Sequence, residues 1–274
     1  MTPSNSAARS RLYALECTEE FHRLERQASL KEYSFQEDLD DLPALTETSR
    51  AASFLDAGCG SGQGTHALSR IFPSQKIVGF DQSALRIEQA RKAYPHDRIE
   101  FRVCDVLKEF PNSTDRYQGI FSRFVLQHIE QNQQLEFVRK LVNRLDAGGW
   151  LRVVDCDGLL INLSPFPEDL RESTQKIISE VGVDFLAGRK IPTFFQEAGL
   201  NQITCKVVPL VFFGENMRSE IEMMRERFRL SRPRLIETLG GAEAFEAYVN
   251  SYLEAMAAPG SVVVYNKFIV TGVK

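Results

Sequence analysis

The 274-residue chain is short of several things. It has no C-x-x-C pair and no His/Cys spacing suited to a metal, so neither a metal centre nor a dithiol redox centre is expected. Its five cysteines, Cys17, Cys59, Cys104, Cys156 and Cys205, are scattered. They read as reduced, small side chains of a cytoplasmic protein. No apolar run approaches the ~18 residues of a membrane span. Met1 to Arg11 lacks the apolar core of a signal peptide, so neither membrane association nor export is expected. Positive charge is not in excess: 33 Lys and Arg stand against 37 Asp and Glu, a net charge of −4. No basic field invites nucleic acid. No internal repeat is present. With 43% apolar residues, the chain can still build a proper core.

Against these absences one stretch stands out, Phe54-Leu55-Asp56-Ala57-Gly58-Cys59-Gly60-Ser61-Gly62-Gln63-Gly64-Thr65. A buried strand, Ala51 to Leu55, meets an acidic residue, and glycines follow at every second position. Thr65 to Phe72 then reads as a helix. Strand, glycine turn and helix form a nucleotide-binding loop at the carboxyl edge of a parallel sheet. Glycines permit positive φ and let a ligand lie on the backbone, and the helix N-terminus presents unpaired N–H groups. The dinucleotide fingerprint G-x-G-x-x-G does not fit the spacing, and no lysine completes a P-loop. Asp56, Gly58, Gly60 and Gly62 instead resemble the first motif of the class I S-adenosylmethionine-dependent methyltransferases, an acidic residue followed by G-x-G-x-G.

The rest of the chain alternates strands and helices. Lys76 to Phe80 is a second strand ending in Asp81, a carboxylate placed to accept both hydroxyls of a ribose or to cap the helix that follows. Arg98 to Val103 is a third strand, followed by Cys104-Asp105-Val106. Tyr117 to Ser122 is a fourth, followed by Arg123, Phe124 and a Leu-x-His segment ending in His128. A helix spans Gln131 to Leu145, and Asp146 to Gly149 is read as its stop and turn. Trp150 to Asp155 is a fifth strand. Gly158 to Pro167 is read as a loop and Glu168 to Val181 as a helix. A helix opened by Pro192 ends at Gly199. Gln202 to Phe213 and Gly260 to Val273 are the sixth and seventh strands.

The resemblance implies an α/β fold: a doubly wound, Rossmann-like, seven-stranded, mostly parallel sheet whose last strand runs antiparallel. It implies S-adenosylmethionine as cofactor and S-adenosylhomocysteine as product. Asp56, Gly58, Cys59, Gly60, Gly62, Asp81, Gln82, Asp105, Val106, Arg123 and Phe124 are the residues expected at that cofactor. Asp105 would meet the adenine amine, Val106 the ring, and Arg123 and Phe124 the methionine portion. Residues 1–45 are expected to form a helical lid, with Tyr13, Arg26, Gln27 and Tyr33 as candidates to face the cofactor. Residues 46–213 and 260–274 are the expected core. Residues 214–259, broken near Pro233 and Gly240-Gly241, are expected to be a helical cap.

For the chemistry, His128 and Asp155 are the general-base candidates, with Asp157 beside them. His66 reads as structural. Arg123 could also bind a substrate carboxylate. The arginines and glutamates from Glu215 to Arg234 read as a solvated helix face. The expected acceptor is a small, partly apolar molecule with an O, N or C nucleophile, handled by a monomer or homodimer. A protein or tRNA acceptor, or a binding protein without catalysis, stays open as the alternative.

Overall fold

The computed structural model describes residues 18–42, 52–108 and 114–274. Tyr13, Cys17 and the start of the expected lid lie outside them. Eight strands form one sheet: β1 Ser53–Ala57, β2 Lys76–Asp81, β3 Ile99–Val103, β4 Tyr117–Arg123, β5 Leu145–Asp157, β6 Leu163–Ser164, β7 Asn201–Phe212 and β8 Val262–Val273. The order is β3-β2-β1-β4-β5-β8, with β6 and β7 both pairing β8. The first five strands run parallel, and β8 is antiparallel to β5 and β7. The last strand therefore enters between the fifth and the long strand before it, as the resemblance implied. The order turns back on itself at β1 and β4, and this opens a crevice at their carboxyl ends.

Nine α-helices lie among the described residues: α1 Thr18–Ser29, α2 Gln36–Leu39, α3 Gln63–Ile71, α4 Ala84–Ala93, α5 Gln134–Val142, α6 Arg171–Glu180, α7 Ile191–Glu197, α8 Met217–Leu239 and α9 Ala242–Ala257. Side chains alternate across β1. Phe54 joins Phe72 and Trp150 on one face, and Leu55 joins Phe80 and Ile120 on the other. Both faces are thereby covered, the condition a parallel sheet requires. Gly119 is essential to this packing, because a Cβ there would sit 2.2 Å from the Trp150 ring.

Three expectations need correction. Asp146 to Gly149 is not a helix stop but the start of β5, where a register shift opposite Tyr117 and Gly119 absorbs the extra residues and Gly148 takes φ 74°. The segment after β5 contains the two-residue β6, a strand too short to leave a period in the sequence. Pro233 does not break the cap, because α8 runs through it as a 23-residue helix ending only at Gly240, φ 87°. Packing outweighs the lost hydrogen bond: Phe228 on α8 meets Tyr248 and Tyr252 of α9 edge-on.

Candidate active site

The glycine loop is tied to the end of β2 rather than hanging free. The Gly58 and Cys59 amides both donate to the Phe80 carbonyl, at 2.7 and 2.8 Å. Asp81 accepts the Gly60 amide on one oxygen and the Ser83 amide on the other, each at 2.9 Å. The helix cap is Ser83, which accepts the Arg86 amide, so Asp81 is not spent on capping. A carboxylate oxygen can accept two hydrogen bonds, and Asp81 lines the cavity described below. Gly60, at φ 52°, has open space where a Cβ would stand. Gly58 is glycine for another reason: a Cβ there would lie 2.3 Å from Val125. Asp56 accepts the Thr65 hydroxyl at 2.8 Å, and burial pushes its carboxyl up to about 7. Burial likewise keeps Cys59 a neutral thiol.

These groups open onto a cavity of about 850 Å³. Asp56, Gly58, Cys59, Gly60, Asp81, Gln82, Asp105, Val106, Arg123, Phe124 and His128 all line it. Gly62 does not; its Cβ would strike the Phe101 ring at 2.8 Å, so its glycine serves packing beneath β3. Asp105 accepts the Leu107 amide at 3.0 Å and lies 3.2 Å from the Lys108 ammonium. Phe124 takes φ 57°, an unusual conformation for a bulky side chain, on the cavity wall.

Arg123 is already engaged. It donates to Asp38 at 2.7 Å and to the Tyr33 carbonyl at 2.6 Å, with its guanidinium 4.2 Å from both the Phe35 and Phe124 ring centres. It pins the segment before β1 to the sheet, which argues against a free carboxylate receptor. His128 lines the cavity, where desolvation first, then the charges of Arg86 and Arg23, push its imidazole down to about 3, so it is neutral at pH 7. Asp155 is corrected. It is fully buried off the cavity and accepts the Gln127 and Cys156 amides at 3.1 and 2.8 Å. It holds the segment after β4 in place rather than meeting a substrate. Asp157 is equally buried and pairs with Arg189 at 2.5 Å. His66 stacks on Tyr94 away from the cavity, as a structural role requires.

The far half of the cavity is built from segments the sequence reading did not connect. Leu159, Ile177, Val181 and Phe185 supply one apolar wall. Met224, Arg227, Phe228, Ser231 and Leu235, one face of α8 by their three- and four-residue spacing, supply another. Tyr33 joins from the segment before β1 and Tyr265 from β8. Behind this wall Glu220, fully buried, accepts Arg227 at 2.5 Å, Tyr265 at 3.0 Å and Tyr33 at 3.3 Å. The expected solvated helix face is thus wrong for Glu220 and Arg227. The 220/224/227/228/231 spacing of polar and apolar residues was the signal that one side of this helix is enclosed. Among the lid candidates Gln27 and Tyr33 line the cavity and Arg26 does not. Among the described residues no cluster of three or more His, Cys, Asp or Glu is placed to hold a metal, and no helix is long and apolar enough to cross a membrane.

Residues 54–149 match the family model described as "Methyltransferase domain". A curated relative, trans-aconitate 2-methyltransferase of Variovorax paradoxus, is 27% identical over 144 residues, 53% of this chain and 49% of its own length. The chain thus spans about half the length of that relative. Among solved structures, phosphoethanolamine N-methyltransferase 2 of Haemonchus contortus in complex with S-adenosyl-L-methionine superposes with a TM-score of 0.58 at 17% identity, covering 97% of this chain and 58% of that one. The cyclopropane synthase MmaA2 of Mycobacterium tuberculosis gives 0.57 at 14% identity, covering 90% and 88%. The last two likenesses speak for the fold.

Proposed function

We propose that this chain, which belongs by family model and fold to the class I S-adenosylmethionine-dependent methyltransferases, transfers a methyl group from S-adenosylmethionine to a small, partly apolar acceptor. The observation that carries this reading is a single cavity whose one end is a glycine loop with Asp81 and Asp105, and whose other end is an apolar chamber. A volume of about 850 Å³ lies near the top of the ~300–1,000 Å³ range of single small-molecule sites. That leaves room for an acceptor beside a cofactor.

The residues fit the cofactor. Gly60 leaves its backbone uncovered, and the Asp81 carboxylate lines the cavity beside it, where a ribose diol would meet it. Asp105, Val106 and Phe124 line the same cavity, where the first two would meet the adenine and Phe124 the methionine portion. When bound, S-adenosylmethionine supplies a methyl group on a sulfonium. The chain's own contribution is alignment and exclusion of water. Tyr33 and Phe124 close the cavity from one side, and α8 closes it from another. His128 faces the cavity, but its imidazole is pushed down to about 3, so at neutral pH it can orient an acceptor by hydrogen bonding and is a poor proton acceptor. The apolar chamber favours a small molecule over a protein or RNA acceptor.

Calorimetry with S-adenosylmethionine against NAD tests the cofactor assignment. Binding of the former in the micromolar range is expected, and binding of NAD alone would overturn it. Methyl transfer from radiolabelled cofactor into a small-molecule extract, rather than into its protein or RNA fraction, tests the acceptor class.

A further inference from the structure

Resting on that reading, the geometry points to Arg227 as the residue that recognises the acceptor, and to an acceptor with an apolar body and one oxyanion, such as a carboxylate. Arg227 is the cationic side chain on the chamber face of α8, set among Met224, Phe228, Ser231 and Leu235. Its side chain is 13% exposed. Isolated charge does not persist in such a place unless it is paired, and Arg227 has its counter-ion in Glu220 while only part of its donor set is used. One terminal nitrogen donates to Glu220 at 2.5 Å and the other to the Tyr33 hydroxyl at 3.1 Å. A guanidinium carries five N–H donors in a fixed fork. The other N–H groups have no protein partner among the described residues.

Glu220 balances the charge of Arg227, so what the guanidinium offers a ligand is its unused N–H donors and not a net positive charge. Its carboxylate also accepts the Tyr265 and Tyr33 hydroxyls, so its acceptor capacity is spread over three donors from three elements. This arrangement orients the guanidinium from behind and leaves its other donors for a ligand. The planar fork suits a carboxylate. The walls around it, Leu159, Ile177, Val181 and Phe185 with Met224 and Phe228, offer apolar contact, and of the other cations lining the cavity Arg23, Lys108 and Arg123 are paired with Glu20, Asp105 and Asp38. With Glu220 counted, one bound carboxylate makes an Arg227 triad of net charge −1, and every further charge on the acid would face hydrocarbon unpaired. Tyr33 adds a consequence. It reaches the network from the segment that Arg123 pins through the Tyr33 carbonyl, so an acid bound at Arg227 also touches the element closing the cavity.

The test uses pairs of probes that differ only in charge: octanoate against octanamide, and naphthalene-1-acetate against its amide. Affinities are measured by calorimetry on the full chain, alone and saturated with S-adenosylhomocysteine. At least one acid is expected to bind on the order of tenfold tighter than its amide. Arg227→Met should bring that acid to the level of its amide, and Arg227→Lys should recover part of the difference. The affinity for S-adenosylhomocysteine should stay within twofold in both. Because Arg227→Met leaves Glu220 buried without its cation, the doubly substituted Arg227→Met/Glu220→Gln protein provides a second, charge-free background. Acids that bind no better than amides to the unaltered protein would overturn the assignment, with no variant needed. So would an equal loss of S-adenosylhomocysteine affinity in Arg227→Met, which would place Arg227 at the cofactor. If S-adenosylhomocysteine fails to bind while the acid-to-amide ratio holds, the cofactor assignment fails and the oxyanion site survives.

Discussion

The two ends of the cavity are built in opposite ways. The proposed cofactor end is backbone and turn: Gly58, Gly60, Asp81, Asp105 and Phe124 each lie at or within three residues of the carboxyl end of a strand, and parallel register brings those ends together. The proposed acceptor end is side chain: Tyr33, Ile177, Phe185, Arg227 and Tyr265 come from segments far apart in the chain and meet only through tertiary packing. The family model covers residues 54–149 and so contains the first end and none of those five. A scaffold matched by the family model, with a proposed acceptor chamber outside it, is the division that lets one fold serve many chemistries.

That division explains what could be read from the sequence. Asp56, Asp81 and Asp105 were legible because each ends a short run with strand periodicity, and strand ends in a parallel sheet share one edge. Asp155 misled for the same reason. It also ends a run of apolar residues, but β5 continues two residues beyond it, so its side chain turns inward and accepts amides instead of facing the crevice. Gly62 shows that a motif glycine can serve packing while its neighbour serves the ligand. The Glu220–Arg227 pair was hidden because the same i, i+7 spacing fits a solvated face. Only the position of Tyr33 and Tyr265, 187 and 45 residues away from Glu220, makes it an interior. The short β6 and the passage of α8 through Pro233 have no local signature at all.

If the two ends are separable, substitutions should sort cleanly between them, and the largest effect should fall where they are joined. Asp38 is fully buried between Lys267 at 2.7 Å and Arg123 at 2.7 Å, and it fastens α2 to β8 and β4. Asp38→Ala strands two cations that are almost wholly enclosed. Removing one partner of a buried pair typically costs ~3–5 kcal/mol, so denaturant melts should show a loss of that order. A loss below about 1 kcal/mol would mean that the segment before β1 is held some other way, and that the chamber does not depend on it.

At the cofactor end Gly58→Ala should weaken S-adenosylmethionine binding on the order of a hundredfold, because φ 80° and the 2.3 Å approach to Val125 both oppose a side chain. Asp81→Ala should weaken it about tenfold, through loss of ribose hydrogen bonds and of the anchor on the Gly60 amide. Neither should change the preference of the chamber for an acid over its amide. If Gly58→Ala abolishes that preference as well, the two ends form one cooperative unit and the comparison fails. An unchanged cofactor dissociation constant in Asp81→Ala would remove Asp81 from the site.

The smallest effect tests whether Asp155 is a support and not a base. Burial raises its carboxyl to about 7 in the folded protein, against ~3.9 in an unfolded chain. The folded state therefore holds more protons than the unfolded state between about pH 4 and 7, so stability falls as pH rises through that window. One such group contributes a slope of about 1 kcal/mol per pH unit near pH 6. Asp56, also raised to about 7, adds in the same direction. Glu100, held at about 2 by Arg102 and Lys76, acts in the opposite sense, and only below about pH 4.5, where its stabilisation is lost as pH falls. Chemical denaturation between pH 5 and 7 should thus show a downward slope that Asp155→Asn reduces by about one group's share, because an amide cannot ionise. Cofactor affinity and the bell shape of any pH–rate profile should be untouched by the same substitution. If Asp155→Asn left the stability slope intact but removed a limb of the pH–rate profile, Asp155 would be moving a proton in the reaction, and the wall between cavity and core would have to open during turnover.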